Sequence, residues 1–191
     1  MPRKLSDRDD DCLPVMVPRS DKRLVPLTPE RVERLRKHLR ESLLDLAKAR
    51  RLDRFAAPVS PEPAGFPALV ARAACSLCRG WCCRNGGDEA FLDDRVLARL
   101  RLANPEITDQ AIMQLYLDRV PEAVSQDSCI FHGKHGCTLD RSMRADICNT
   151  YFCGGLRAYM KGQNGPEPTV VLAGEGDKMR LSPVLMPDQR T

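Results

Sequence analysis

The sequence predicts a mainly α-helical protein with an N-terminal amphipathic helix, a small cysteine-rich helical domain and a short C-terminal β-hairpin. Apolar residues recur at helical spacing in several segments, whereas a β-branched run occurs only briefly near the C-terminus. The 191 residues are 42% hydrophobic and 5% aromatic, which allows only a modest core. A chain of this length accommodates one domain with appendages.

The N-terminal quarter predicts a disordered tail followed by a helix. Residues 1–27 mix charges with four prolines and show no periodicity, as in a mobile tail. Residues 28–54 read as an amphipathic basic helix, because Thr28 is a hydroxyl N-cap and Pro29 occupies the first helical position. Its apolar stripe comprises Val32, Leu35, Leu39, Leu43 and Leu46. We expect this stripe to pack on the domain or on a partner helix.

The remainder divides at its prolines and glycines. Residues 55–67 contain four prolines and predict an extended linker. Residues 68–162 form the predicted cysteine-rich domain, which begins with a short alanine-rich helix at 68–74. Gly154 and Gly155 are expected to break a helix within it. Residues 163–191 predict short β segments and a tail.

Further elements complete the prediction. Two helices are expected near residues 88–103 and 108–120, and Thr108 caps the second. A terminal β-hairpin is expected from the segments 169–172 and 179–185, with a glycine-containing turn between them.

Eight of the nine cysteines fall into two groups, and these groups predict a metal site. The candidate ligands are Cys75, Cys78, Cys82, Cys83, Cys129, Cys137, Cys148 and Cys153. Cys75 and Cys78 have the spacing of a metal-binding knuckle on a turn. Cys82 and Cys83 are adjacent, so their side chains diverge and one compact site requires ligands from both groups. A tight hairpin, or a loop whose two ends converge, is expected between Cys129 and Cys137.

Two histidines lie inside the second group. His132 and His135 stand between Cys129 and Cys137, so imidazole coordination is an alternative to thiolate coordination. We interpret both as loop residues, because eight thiols already suffice.

Composition predicts the localisation of the protein and the class of its partners. No apolar run approaches the roughly 20 residues that span a bilayer, and residues 1–27 lack a secretory signal, so we expect a cytoplasmic protein. Cysteines in a reducing compartment favour metal over a disulfide framework, which is the alternative. The net charge is +4, with the basic surplus in residues 1–54. Interleaved acids argue against nucleic-acid binding, which leaves a protein or redox partner.

The chemistry admits two metals. An iron-sulfur cluster tolerates irregular spacing, because each iron takes its own cysteine, and adjacent thiols can address different irons. The alternative is one or two closed tetrahedral zinc sites. We favour an iron-sulfur cluster with a redox or accessory role. The alternative function is a structural zinc module that engages a partner through its basic helix. Common catalytic motifs are absent from the sequence.

The two cysteine groups together resemble the YkgJ-type cysteine-cluster family, whose CxxCxxCC domain is described as chelating zinc or iron. The resemblance covers residues 75–153. The first block here is one residue longer than the usual pattern, and Ala145 and Asn149 stand where proline and arginine are usual. The resemblance implies metal or cluster binding by the eight cysteines, without one agreed activity.

Overall fold

The fold is mixed α/β. The computed structural model describes residues 12–48, 63–162 and 167–187. Of these residues, 49% are helical and 15% lie in strands, which form three small sheets. The prediction of a mainly α-helical protein is therefore wrong. The strands were missed because they are short and because two of the sheets pair segments far apart in sequence. Local periodicity does not reveal such strands.

The elements have the following bounds. The helices are α1 Pro29–Lys48, α2 Gly65–Cys78, α3 Asp94–Ala103, α4 Asp109–Leu117, α5 Asp146–Thr150 and α6 Gly154–Lys161. The strands are β1 Leu13–Val17, β2 Leu24–Pro26, β3 Ala123–Ser125, β4 His132–Gly133, β5 Gly136–Cys137, β6 Thr169–Ala173 and β7 Arg180–Leu181. Short 3-10 turns occupy Trp81–Asn85, Arg141–Met143 and Gly176–Lys178.

The chain divides into two compact units, each with its own hydrophobic core. The sheet unit comprises Met1–Ser20, Glu62–Trp81 and Phe152–Thr191, and the helical unit comprises Asp21–Pro61 and Cys82–Tyr151. The predicted cysteine-rich domain is therefore not one body. Its two ends share a core with β1, because β1, α2 and α6 contribute apolar residues to the same cluster.

The sheet unit is a three-stranded sheet covered by α2 and α6. Strand β1 runs parallel to β6, and β6 runs antiparallel to β7. The predicted C-terminal hairpin is confirmed as β6 and β7, and β1 extends it. The core of this unit includes Val15, Val17, Val171, Ala173, Phe66, Val70, Leu156 and Tyr159. Alternate residues of β1 and β6 thus supply the buried face of the sheet.

Two strands lie in the segment predicted as a disordered tail. Residues 12–27 contain β1 and β2, so the prediction is wrong there, and residues 1–11 lie outside the described residues. Pro14 does not prevent β1 from forming, because β1 is an edge strand of its sheet, where a missing backbone donor is tolerated.

Helices α2 and α6 also differ from prediction. Helix α2 begins at Gly65, so it includes the end of the predicted linker, whose residues 55–62 lie outside the described residues. It extends to Cys78 and so exceeds the predicted 68–74. Gly154 and Gly155 begin α6 rather than break a helix. A β-carbon on Gly155 would lie 1.6 Å from the Met16 carbonyl oxygen, so α6 approaches β1 at a point only glycine allows.

Helix α1 forms one side of the helical unit's core. Its buried residues are Leu35, Leu39, Leu43 and Leu46, which confirms the predicted stripe. Helices α3 and α4 pack against α1, and both begin at capping side chains, Asp93 and Thr108. Residues 49–54 of the predicted helix lie outside the described residues.

Two small sheets join segments of the helical unit. Strand β2 pairs antiparallel with β3, and β4 pairs antiparallel with β5. The second pair confirms the hairpin expected between Cys129 and Cys137. Among the described residues, no helix is long and apolar enough to cross a bilayer.

Candidate metal centre

All nine cysteines lie among the described residues, and none of them is part of a disulfide bond. The helical unit contains five of the eight predicted ligands, which are Cys82, Cys83, Cys129, Cys137 and Cys148. We call these five the thiol group. The other three, Cys75, Cys78 and Cys153, belong to the sheet unit. The predicted eight-thiol set is therefore divided between the two units.

The loop that carries Cys83 meets the loop that carries Cys129. The Cys129 N–H donates to the Cys83 carbonyl oxygen at 3.0 Å, and the Ile130 N–H donates to the Gly87 carbonyl at 2.8 Å. Gly86 lies in this junction, where a β-carbon would be 2.9 Å from the Cys129 Cβ and 3.1 Å from its Sγ. The absence of a side chain at Gly86 lets the two cysteine loops come together.

Cys137 and Cys148 reach the thiol group on other elements. Cys137 lies on β5 opposite His132 of β4. Cys148 lies on α5, which Arg99 of α3 fixes by donating to the Asp146 carboxylate at 2.6 Å and to the Arg144 carbonyl at 2.9 Å. Four chain segments thus bring cysteines to the thiol group.

Hydrogen bonding between the adjacent thiols separates their proton affinities. A hydrogen bond between Cys82 and Cys83 lowers the pKa of Cys82 to about 6 and raises the pKa of Cys83, to which burial adds. This matches a Cys83 S–H that donates to a Cys82 thiolate, so one proton serves both sulfurs.

Two further thiols, those of Cys129 and Cys148, have raised pKa values. Burial raises the pKa of Cys129 to about 12, with further contributions from Cys137 and Cys148. Burial likewise raises the pKa of Cys148 to about 11, with contributions from Cys137 and Cys82. When ionised, Cys148 is therefore repelled by Cys137 and Cys82, and Cys129 by Cys137 and Cys148. A bound cation would remove that penalty, since metal coordination deprotonates thiols.

The arrangement does not match a single-ion site. Four sulfurs bound to one zinc at about 2.3 Å lie within about 4 Å of each other. Across residues 12–48, 63–162 and 167–187, no group of three or more His, Cys, Asp or Glu side chains is placed to hold one metal ion. A cluster with several irons places less demand on the donors, because each iron needs its own cysteine.

The members of the thiol group differ in exposure. Cys82 and Cys148 are exposed, whereas Cys83, Cys129 and Cys137 are half-buried.

The three cysteines of the sheet unit lie on helix ends. Cys75 and Cys78 occupy the last turn of α2, three positions apart on one helix face, so the predicted knuckle is helical rather than a turn. Cys78 is buried in the core of this unit, and Cys153 is the N-cap of α6 and packs against the same core.

The two histidines occupy different environments. His132 is 3% exposed, and its Nδ1 forms a 2.8 Å hydrogen bond with the buried Ser128 hydroxyl. His135 is exposed in the turn between β4 and β5. His135 thus lies in a loop, as expected, whereas the loop interpretation is wrong for His132, which lies on β4.

Three residues that support the thiol group were not singled out from the sequence. These are Arg31 and Asp88, which form an ion pair, and Arg99. Arg31 also donates to the Ser128 carbonyl at 2.6 Å. No local pattern reveals such partners, because each bond joins residues at least 45 positions apart. The consecutive glycines after Cys83 were the one available signal of close backbone approach.

No protein-family model, curated protein or solved structure matches this chain. The resemblance to the YkgJ-type family therefore stays a prediction.

Proposed function

We propose that the protein binds an iron-sulfur cluster through its cysteines and serves a redox or accessory role. The carrying observation is that four segments bring five cysteines into the helical unit, where the Cys83 and Cys129 loops are hydrogen-bonded to each other and neighbouring thiols add to the raised pKa of Cys129 and Cys148. Ionising neighbouring thiols costs free energy in the metal-free protein, because the thiolates repel one another. A bound cation offsets this cost, since metal binding is coupled to thiol deprotonation. The family resemblance across residues 75–153 points the same way.

The proposal assigns the thiol group as the principal ligands. Cys75, Cys78 and Cys153 complete the predicted set of eight. When bound, a cluster of this kind supplies reversible one-electron transfer. The chain's own residues hold the thiols: Gly86 permits the junction of two loops, and Arg99 fixes the helix that carries Cys148.

The zinc alternative predicts a different use of α1. Its apolar stripe is buried in the helical unit, so a partner would have only the charged face of α1 to bind. That face mixes acidic and basic side chains, among them Glu30, Glu33, Lys37 and Arg40. The zinc alternative therefore does not include a partner that binds a purely basic face of α1.

Metal analysis on anaerobically purified protein tests the proposal. We expect iron with a matching amount of acid-labile sulfide and a broad visible absorption. Cys129→Ser should lower the iron content, whereas Cys12→Ser should not, because Cys12 lies outside both cysteine groups. Zinc without sulfide would replace the cluster by a structural zinc site. Full-length protein that binds neither iron nor zinc would refute the proposal.

A further inference from the structure

Arg31, in the first turns of α1, contacts two of the segments that carry cysteines of the thiol group, the Cys83 loop and the Cys129 loop. Its guanidinium pairs with Asp88, which lies five residues after Cys83, and donates to the carbonyl of Ser128, which directly precedes Cys129. The Arg31 and Asp88 side chains are only 17% and 16% exposed. A planar guanidinium that donates to two acceptors fixes their relative positions better than a single point charge does.

The contacts of Arg31 coincide with the junction of the same two loops. The backbone bonds from Cys129 to Cys83 and from Ile130 to Gly87 cross that junction. Arg31 and these backbone bonds therefore join the same two loops. Loss of the bridge leaves the Asp88 carboxylate with Arg34, whose side chain is 59% exposed and whose Nε lies 2.7 Å from it.

We propose that Arg31 is a positioning residue for the candidate metal centre, holding the Cys83 and Cys129 loops together through Asp88 and the Ser128 carbonyl. The metal-binding part of this inference rests on the proposed function. The loop-holding part does not, because it can be measured on protein without metal.

Hydrogen exchange on the metal-free full chain tests the bridge itself. In Arg31→Gln we expect the amides of Cys129 and Ile130 to exchange at least about tenfold faster, because a charge-assisted bond is lost at the junction. The amide of Ile112, which donates to Thr108 at 3.0 Å in α4, should keep its wild-type rate. Arg34→Gln is the matched control, since Arg34 contacts the same carboxylate from an exposed position, and it should change neither rate.

Anaerobic reconstitution with ferrous iron and sulfide tests the consequence for the centre. Arg31→Gln should weaken iron retention against a chelator by about 10- to 100-fold, as loss of a supporting partner does at other metal sites. Arg31→Lys should restore only part of it, because an ammonium lacks the guanidinium fork. Arg34→Gln should retain iron like the wild type.

Three outcomes would overturn the inference. The first is a wild-type exchange rate of the Cys129 amide in Arg31→Gln. The second is an equal increase in the exchange rate of the Ile112 amide, which would signal global destabilisation. The third is wild-type iron retention in Arg31→Gln. If Arg31→Gln does not fold, Asp88→Asn removes the same ion pair and takes its place. If the wild type binds neither iron nor sulfide, the proposed function fails, and the exchange rates alone decide the role of Arg31.

Discussion

Gly86→Ala is expected to damage the thiol group more than it damages the fold. The new β-carbon would lie 2.9 Å from the Cys129 Cβ, 3.1 Å from its Sγ and 3.4 Å from the Cys83 carbonyl oxygen. Relief requires the two loops to separate by about 0.5 Å, in an interior that is close-packed. Overpacking of this kind costs about 1–3 kcal/mol of unfolding free energy.

The same separation would move two thiols of the proposed centre apart. We therefore expect Gly86→Ala to lose iron to a chelator about 10- to 100-fold more readily than the wild type. The assay combines urea unfolding of the metal-free protein with chelator competition on reconstituted protein. The first measures the fold and the second measures the site.

Gly87→Ala provides the control. Its φ is +52°, so a side chain strains the backbone by about 1–2 kcal/mol, yet no atom lies within 4 Å of the added β-carbon. The two variants should therefore lose similar stability, while only Gly86→Ala loses iron. Equal iron retention by both would refute the claim that Gly86 sets the spacing of the cysteine loops.

Three further predictions follow from contacts within the units. Gly155→Ala should lower the unfolding free energy by more than about 3 kcal/mol in urea titration, because its β-carbon collides with the Met16 carbonyl; a smaller loss would mean that α6 shifts freely. Arg99→Ala should cost about 3 kcal/mol in the same assay, since it leaves the partly buried Asp146 carboxylate unpaired, and a neutral result would contradict this. Burial would raise the pKa of Asp88, but hydrogen bonds from two arginines outweigh it and hold that pKa below its usual range. The stability this pair contributes is present above the unfolded pKa of about 3.9 and is lost as pH falls through the lower folded value, so Asp88→Asn should flatten the acid side of a pH–stability curve.

Local signals were sufficient where an element is defined by its own residues. Thr28 and the leucine spacing predicted α1, because a capped helix with one apolar stripe is encoded within 20 residues. The hairpin between Cys129 and Cys137 was also predictable, because its strands and turn lie close together in the sequence. Strand β1 was missed, because five residues with a proline acquire a strand conformation only through pairing with β6.

The sequence predicted which residue types form the candidate site, but not which of the cysteines lie in the same unit. Cysteine spacing identified soft ligands, yet it could not show that Cys78 and Cys82 lie in different units. The unit boundary depends on which apolar residues share a core, and these come from segments far apart in the chain. Arg31 was missed for the same reason.

The parallel pairing of β1 with β6 constrains the order in which the chain folds during synthesis. Residues 13–17 are synthesised long before their partner at 169–173. Every described residue of the helical unit has been made before β6 exists, so that unit can fold while β1 waits without a partner. Contacts of such high sequence separation form slowly. Translation pauses or truncation before β6 would therefore leave β1 unpaired and favour aggregation over folding.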